Sequence, residues 1–158
     1  MSEITFDIAV EHILLKEGGY VDDPADRGGE TKYGISKRSY PSLDIKALSK
    51  DKAKEIYKID FWNSVKAEHL PEQLRLTVFD MAVNAGVKRA ILLLQECAKV
   101  EMDGVIGPKT LKAAQFVGLF HYESARIAYY NRLRQPRFLV GWTNRAAYMT
   151  NTTIALLT

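Results

Sequence analysis

One stretch interrupts the helical patterning of this 158-residue chain early and constrains what can form around it. From Gly18 to Ser36, glycines, aspartates and a proline recur with no 3.6-residue period, so the segment reads as turns with a short hairpin around Gly28-Gly29. Just before it, Phe6, Ala9, Val10, Ile13 and Leu14 recur at helical spacing. They follow Thr5, whose hydroxyl suits the N-cap, and the pattern stops at Gly18-Gly19. A first helix therefore carries Glu17, in its last turn, to the start of an irregular acidic segment.

The rest of the chain is helical in pattern. Ser49 is placed to cap a helix containing Ala53, Ile56 and Tyr57. Pro71 fits the first position of another, containing Leu74, Val78, Met81, Ala82 and Ala85 and ending at Gly86. An apolar helix is expected over 88–99. After the punctuation of Gly104 and Gly107-Pro108, further helices are expected over about 108–116, 119–132 and 142–156. The fold class is mainly α: a helical bundle with a small irregular or β-hairpin element after the first helix. With no repeat or long linker, a boundary near residue 100 separates two lobes of one compact body, 1–98 and 99–158.

Composition narrows the function classes. At 47% hydrophobic, the chain can bury a core without staples, and its one cysteine, Cys97, lies in an apolar run as a small buried hydrophobe. The N-terminal segment is acidic and lacks the basic and apolar regions of a secretory signal, and no run is long enough to span a membrane. The expectation is cytoplasmic synthesis without a signal peptide and no stable membrane insertion. His12, His69 and His121 are scattered without a zinc-ligand spacing, and nucleotide-binding and serine-hydrolase fingerprints are absent, so neither metal nor cofactor is expected. Net charge is +3, but residues 104–158 carry 7 basic and 1 acidic side chains against 15 and 18 in residues 1–103. Such a cationic end attracts polyanions without naming one; nucleic acid is the weakest of these readings.

The segment from Glu17 to Ile35 holds the residue types for cleaving a glycosidic bond. A carboxyl group ends a helix, and a glycine-rich turn brings back a second carboxyl, Asp26, and a hydroxyl, Thr31. Glycoside hydrolysis needs a proton donor at the leaving oxygen and a second group that holds water or stabilises positive charge on the sugar. A carboxyl at a helix C-terminus, among apolar walls and other acids, is disfavoured as an anion, as a donor must be. Read from the residues alone, Glu17 could equally be an ordinary helix-end acid. The acidic cluster could be a surface loop or a calcium site, although Asp22, Asp23, Asp26 and Glu30 do not follow the spacing of a helix-loop-helix calcium loop.

The strings Glu17-Gly18-Gly19-Tyr20, Asp23-Pro24 through Thr31, and Tyr33-Gly34-Ile35-Ser36 closely resemble the glycoside hydrolase family 108 muramidases, which include phage endolysins and secretion-activator-like bacterial proteins. The resemblance implies a lysozyme-like α+β fold, with Glu17 as catalytic acid and peptidoglycan as substrate. The order Glu17, Asp26, Thr31 is also similar to the Glu-x8-Asp-x5-Thr spacing of family 24 lysozymes, with the second interval one residue shorter. Thr31 then hydrogen-bonds the attacking water or Asp26, or only ties the turn together.

Downstream, Asp103-Gly104-Val105-Ile106-Gly107-Pro108-Lys109-Thr110 resembles the turn of peptidoglycan-binding helical modules, though the same residues also read as a plain turn and helix start. Tyr20, Tyr33, Asn84, Trp142 and Arg145 are the candidate sugar-contacting residues, each with a packing role as its alternative. The expected activity is that of an endolysin-type muramidase, a hydrolase acting as a monomer and reaching the periplasm or cell wall by holin-dependent release, as a phage protein, or by a dedicated export path, as a bacterial one. A lytic transglycosylase and a non-catalytic peptidoglycan-binding or secretion accessory protein are the alternatives.

Overall fold

The computed structural model describes residues 3–25 and 29–158. Helix α1 spans Phe6–Glu17; the Thr5 hydroxyl accepts from the Ile8 amide, and Gly18 ends the helix at φ +73°. Three short strands follow: β1 (Val21–Asp22), β2 (Glu30–Lys32) and β3 (Ile35–Ser36), paired antiparallel in that order. Helix α2 (Lys50–Tyr57) is capped by Ser49, runs on into a π-helical turn at Lys58–Trp62, and is followed by a 3₁₀ turn at Ala67–His69. Then come α3 (Glu72–Ala85), α4 (Val87–Ala98), α5 (Pro108–Ala114), α6 (Leu119–Arg132) and α7 (Pro136–Leu157). The fold is mainly α with a small antiparallel sheet after the first helix, as the periodicity predicts.

Helix α3 is the axis of the molecule. It packs against α1, α4, α6 and α7, and Leu74, Leu76, Thr77, Val78, Phe79, Asp80, Met81 and Ala82 on it are all buried. A helix buried nearly all round needs neighbours on every side. Phe79 meets Trp62 edge-on at 5.2 Å, and Trp62 in turn meets Phe6 at 5.7 Å, so the π-helical turn delivers a large aromatic to the junction of α1 and α3. Helices from both halves of the sequence share this core.

Helix α7 begins earlier than the pattern suggests, at Pro136 and not at Trp142. Proline at a first turn has its φ already set and lacks an N–H that the helix could not satisfy there, and the helix continues through the exposed Gly141. Among the described residues no helix is long and apolar enough to cross a membrane.

Candidate active site

Glu17 is the last residue of α1, and the β2–β3 turn closes on it. Tyr33 (φ +52°) and Gly34 (φ +77°) form a two-residue turn with both residues left-handed, the geometry that matches the twist of paired strands. A side chain at Gly34 would run into the Tyr57 hydroxyl and come within 2.8 Å of Glu17 Cγ and 2.9 Å of its Cβ. Glycine is therefore required at this position twice, by its φ and by the approach to Glu17. The Tyr57 hydroxyl donates to the Tyr33 carbonyl at 2.6 Å, fastening the turn to α2. Burial, and then the Glu17 charge, push the Tyr57 pKa up, so this hydroxyl keeps its proton.

A row of alternating charge runs inward from Glu17. Arg145 of α7 places Nη1 2.7 Å from Glu17 Oε1, and sets Nε at 2.9 Å and Nη2 at 2.8 Å from Asp80 Oδ1 on α3. The other Asp80 oxygen accepts from Arg126 Nη2 of α6 at 2.8 Å. Arg126 Nη1 in turn donates to the Thr77 hydroxyl and carbonyl. Asp80 and Arg126 are fully buried. Burial disfavours the Arg145 charge, but Asp80 and then Glu17 more than offset it, so its pKa is raised and the guanidinium stays charged. The sequence expectation of apolar and acidic surroundings for Glu17 is corrected here: a guanidinium sits against it.

The other predicted residues fall into two groups. Asn84, Trp142 and Arg145 come together and, with Lys16, Gly141 and Asn144, line a cavity of about 330 Å³ at the end of α1, a size suited to a small ligand group. Asn84 accepts from the Tyr130 hydroxyl at 2.6 Å, and Trp142 stacks on Tyr130 at 5.4 Å and on Phe138 at 5.5 Å, so the indole packs against aromatic neighbours while also lining the cavity. Tyr20 and Tyr33 belong to the hairpin. The Tyr20 hydroxyl lies 3.0 Å from Glu30, tying β1 to β2, and Tyr33 contributes its turn backbone. Thr31 sits in the middle of β2, paired with Val21 and Ser36. Asp26 lies outside the described residues. A larger hollow of about 440 Å³, lined by Trp62, His69 and Leu111 among others, touches none of the charge row and marks the seam between the 3₁₀ turn and α5.

Lys16, Asp80, Arg126 and Tyr130 were not singled out from sequence. A signal for part of the set exists: Thr77, Asp80 and Asn84 stand at i, i+3 and i+7 on an otherwise apolar helix, a polar stripe on one face. Arg126 and Tyr130 make a matching i, i+4 pair on α6, and the Tyr130 hydroxyl lies 2.9 Å from Arg126 Nη2. Because Arg126 and Arg145 turn inward, the basic surface of the C-terminal third is smaller than its composition implies; Lys109, Lys112, Arg132, Arg134 and Arg137 are the exposed ones.

The Asp103–Thr110 turn is organised from within. Gln95 of α4, 1% exposed, donates to Asp103 Oδ1, the Val105 carbonyl and Thr110 Oγ1, and accepts from the Gly104 amide at 2.9 Å. The bond from the Val105 amide, and then that from Gln95, hold the Asp103 carboxyl below its usual pKa. A Gln95→Leu protein would leave several of these groups without partners and is expected to lose about 2–4 kcal/mol of stability, read as a lower urea midpoint with an unchanged m-value.

Comparison with known families accords with this geometry. The model described as Glycosyl hydrolase 108 matches residues 4–86, and one described as Predicted Peptidoglycan domain matches residues 89–147. Among solved structures, SagA from Brucella abortus is 33% identical with a TM-score of 0.82, over 95% of this chain and 94% of that one. Comparison with curated proteins finds no match. The fold and the two family matches define a lysozyme-like glycoside hydrolase with a muramidase-like role in peptidoglycan hydrolysis. The chain belongs to the glycosyl hydrolase 108 family, as the Glu17–Ser36 strings suggest.

Proposed function

We propose that the chain is an endolysin-type N-acetylmuramidase that hydrolyses the β-1,4 bond between N-acetylmuramic acid and N-acetylglucosamine, with Glu17 as general acid. The observation that carries this reading is the placement of Glu17: a carboxyl fixed at a helix end, pressed by the Gly34 turn, and paired with Arg145, which also lines the adjoining cavity. Protonated Glu17 gives its proton to the glycosidic oxygen as the C1–O bond breaks and positive charge develops on the sugar. Asp26 stabilises that charge or activates the water that adds to C1, and Thr31, on β2, hydrogen-bonds the water or Asp26, or only ties the turn together. Asn84, Trp142 and Arg145 form one wall of the sugar-binding cleft, and Tyr20 and Tyr33, on the hairpin, are further sugar contacts.

In this reading residues 1–98 are the catalytic lobe, and residues 99–158 are a peptidoglycan-binding-like lobe whose exposed basic side chains hold the anionic wall polymer. The protein acts as a monomer, is made in the cytoplasm and reaches the wall through a holin during host lysis of a phage-infected cell. Asp80, the carboxylate behind Arg145, is committed to two arginines and supplies no second catalytic acid, so the hydrolase reading depends on Asp26; without it one rival remains. A lytic transglycosylase needs a single acidic group, because the sugar's own 6-hydroxyl attacks C1.

Incubation of purified protein with purified sacculi tests the reading. The expected result is released muropeptides with reducing muramic acid ends. Ends of the 1,6-anhydro type would replace the hydrolase by the transglycosylase, and binding to sacculi without release would replace both by a non-catalytic accessory protein.

A further inference from the structure

We propose that Asp80 is a positioning residue for this reaction: from behind Arg145 it anchors the guanidinium independently of Glu17, leaving Glu17 free to take up and release a proton. The proposal rests on the reading of Glu17 as proton donor. A guanidinium whose only carboxylate partner is the proton donor holds that donor as the anion, the form that cannot give a proton. Here the guanidinium has a second partner. Asp80 Oδ1 faces two of its nitrogens, Nε at 2.9 Å and Nη2 at 2.8 Å, while Glu17 faces the third, Nη1, at 2.7 Å.

Asp80 is itself immobile, since it is fully buried and its other oxygen is held by Arg126, which is in turn held on Thr77. When Glu17 is protonated, Arg145 keeps both of its contacts to Asp80, whose single charge it shares with Arg126, and so stays in place. Among the described residues, the groups facing Glu17 are Arg145 from α7, the protonated Tyr57 hydroxyl from α2 and the Tyr33–Gly34 turn. Lys16, next to it on α1, has its ammonium group 3.8 Å from the Tyr148 ring centroid. Besides Glu17 itself, Asp80 is the described carboxylate that offsets the Arg145 charge.

Removing Asp80 alone would strand the buried Arg126 cation, so the test uses Asp80→Asn combined with Arg126→Met. This double variant withdraws one charge of each sign and keeps the volumes close; such replacements of buried ion pairs are often tolerated. With Arg145 left to Glu17 alone, kcat on a soluble peptidoglycan oligosaccharide is expected to fall by roughly 10²-fold, the cost of a misplaced reacting geometry, with KM little changed. The limb of the activity profile that reports the proton donor is expected to move to lower pH.

Arg145→Lys leaves Asp80 and Arg126 paired in the interior and provides a second variant. A single ammonium cannot span Asp80 and Glu17 as the guanidinium does, so the same fall in kcat and the same displacement are expected. A folded double variant, or a folded Arg145→Lys protein, with wild-type kcat and an unmoved pH profile overturns the proposal. Glu17→Gln, assayed alongside, separates the two levels. If it stays active the general-acid reading fails, whereas an inactive Glu17→Gln beside wild-type behaviour of the other variants removes the positioning role alone.

Discussion

A Glu17→Gln protein is expected to fold as the wild type does and to clear purified sacculi about 10²–10⁴-fold more slowly, the range associated with loss of a general acid or base. The substitution is close to isosteric. Its amide oxygen still accepts from Arg145, and the Cβ and Cγ atoms that meet Gly34 are unchanged. What is removed is the proton that can be transferred. Glu17 ends α1 and is not part of the core, and Arg145 keeps Asp80 as a partner, so the effect on stability is expected to stay within about 1 kcal/mol. A melting curve beside the turbidity assay checks both statements. A protein that melts normally and retains full lytic activity would remove Glu17 from the mechanism.

The largest expected effect on stability lies deeper. Arg126→Met should cost about 3–5 kcal/mol, the usual penalty for removing one partner of a buried ion pair, and lower the melting temperature by about 10 °C. Arg126 and Asp80 are both fully buried, and Arg126 ties α6 to α3 through Asp80 and Thr77 and meets Tyr130 on its own helix. Methionine fills much of the same space but offers Asp80 Oδ2 nothing. The Asp80→Asn change made on top should recover part of the loss, since it withdraws the charge left behind; the two costs are therefore expected to be strongly non-additive. Denaturant unfolding of the two single variants and the double variant measures this coupling directly.

How much of this was legible in the sequence depends on how local the controlling contact is. Thr5 and Gly18 set the ends of α1 by bonds within a few residues, so the place of Glu17 could be read from the pattern. The hairpin was expected around Gly28-Gly29, and β1 and β2 do pair across that segment, but the tight turn is at Tyr33-Gly34. There a tyrosine takes a left-handed conformation that its residue type does not favour. Its carbonyl bond from Tyr57, a residue of another helix, accompanies that conformation.

The charge row was hidden for the same reason on a larger scale. Glu17, Asp80, Arg126 and Arg145 come from four different helices, and no spacing in the chain brings them together. Counting basic residues in the last third misled in a related way, because composition does not distinguish an arginine on the surface from one folded onto a buried carboxylate. The cavity drew together Asn84, Trp142 and Arg145 as the sequence suggested, but Lys16 and Asn144 entered it through the packing of α1 beside α7. The π-helical turn that seats Trp62 likewise depends on the α1–α3 junction it fills.

The most direct measurement of the central claim is digestion of purified peptidoglycan in heavy-oxygen water, followed at once by borohydride reduction and mass spectrometry of the released sugars. If the chain is a muramidase using Glu17, one solvent oxygen appears at C1 of each newly formed N-acetylmuramic acid end, and the label is absent with the Glu17→Gln protein. Unlabelled anhydro ends, label at N-acetylglucosamine ends, or equal labelling by the Glu17→Gln protein would contradict it.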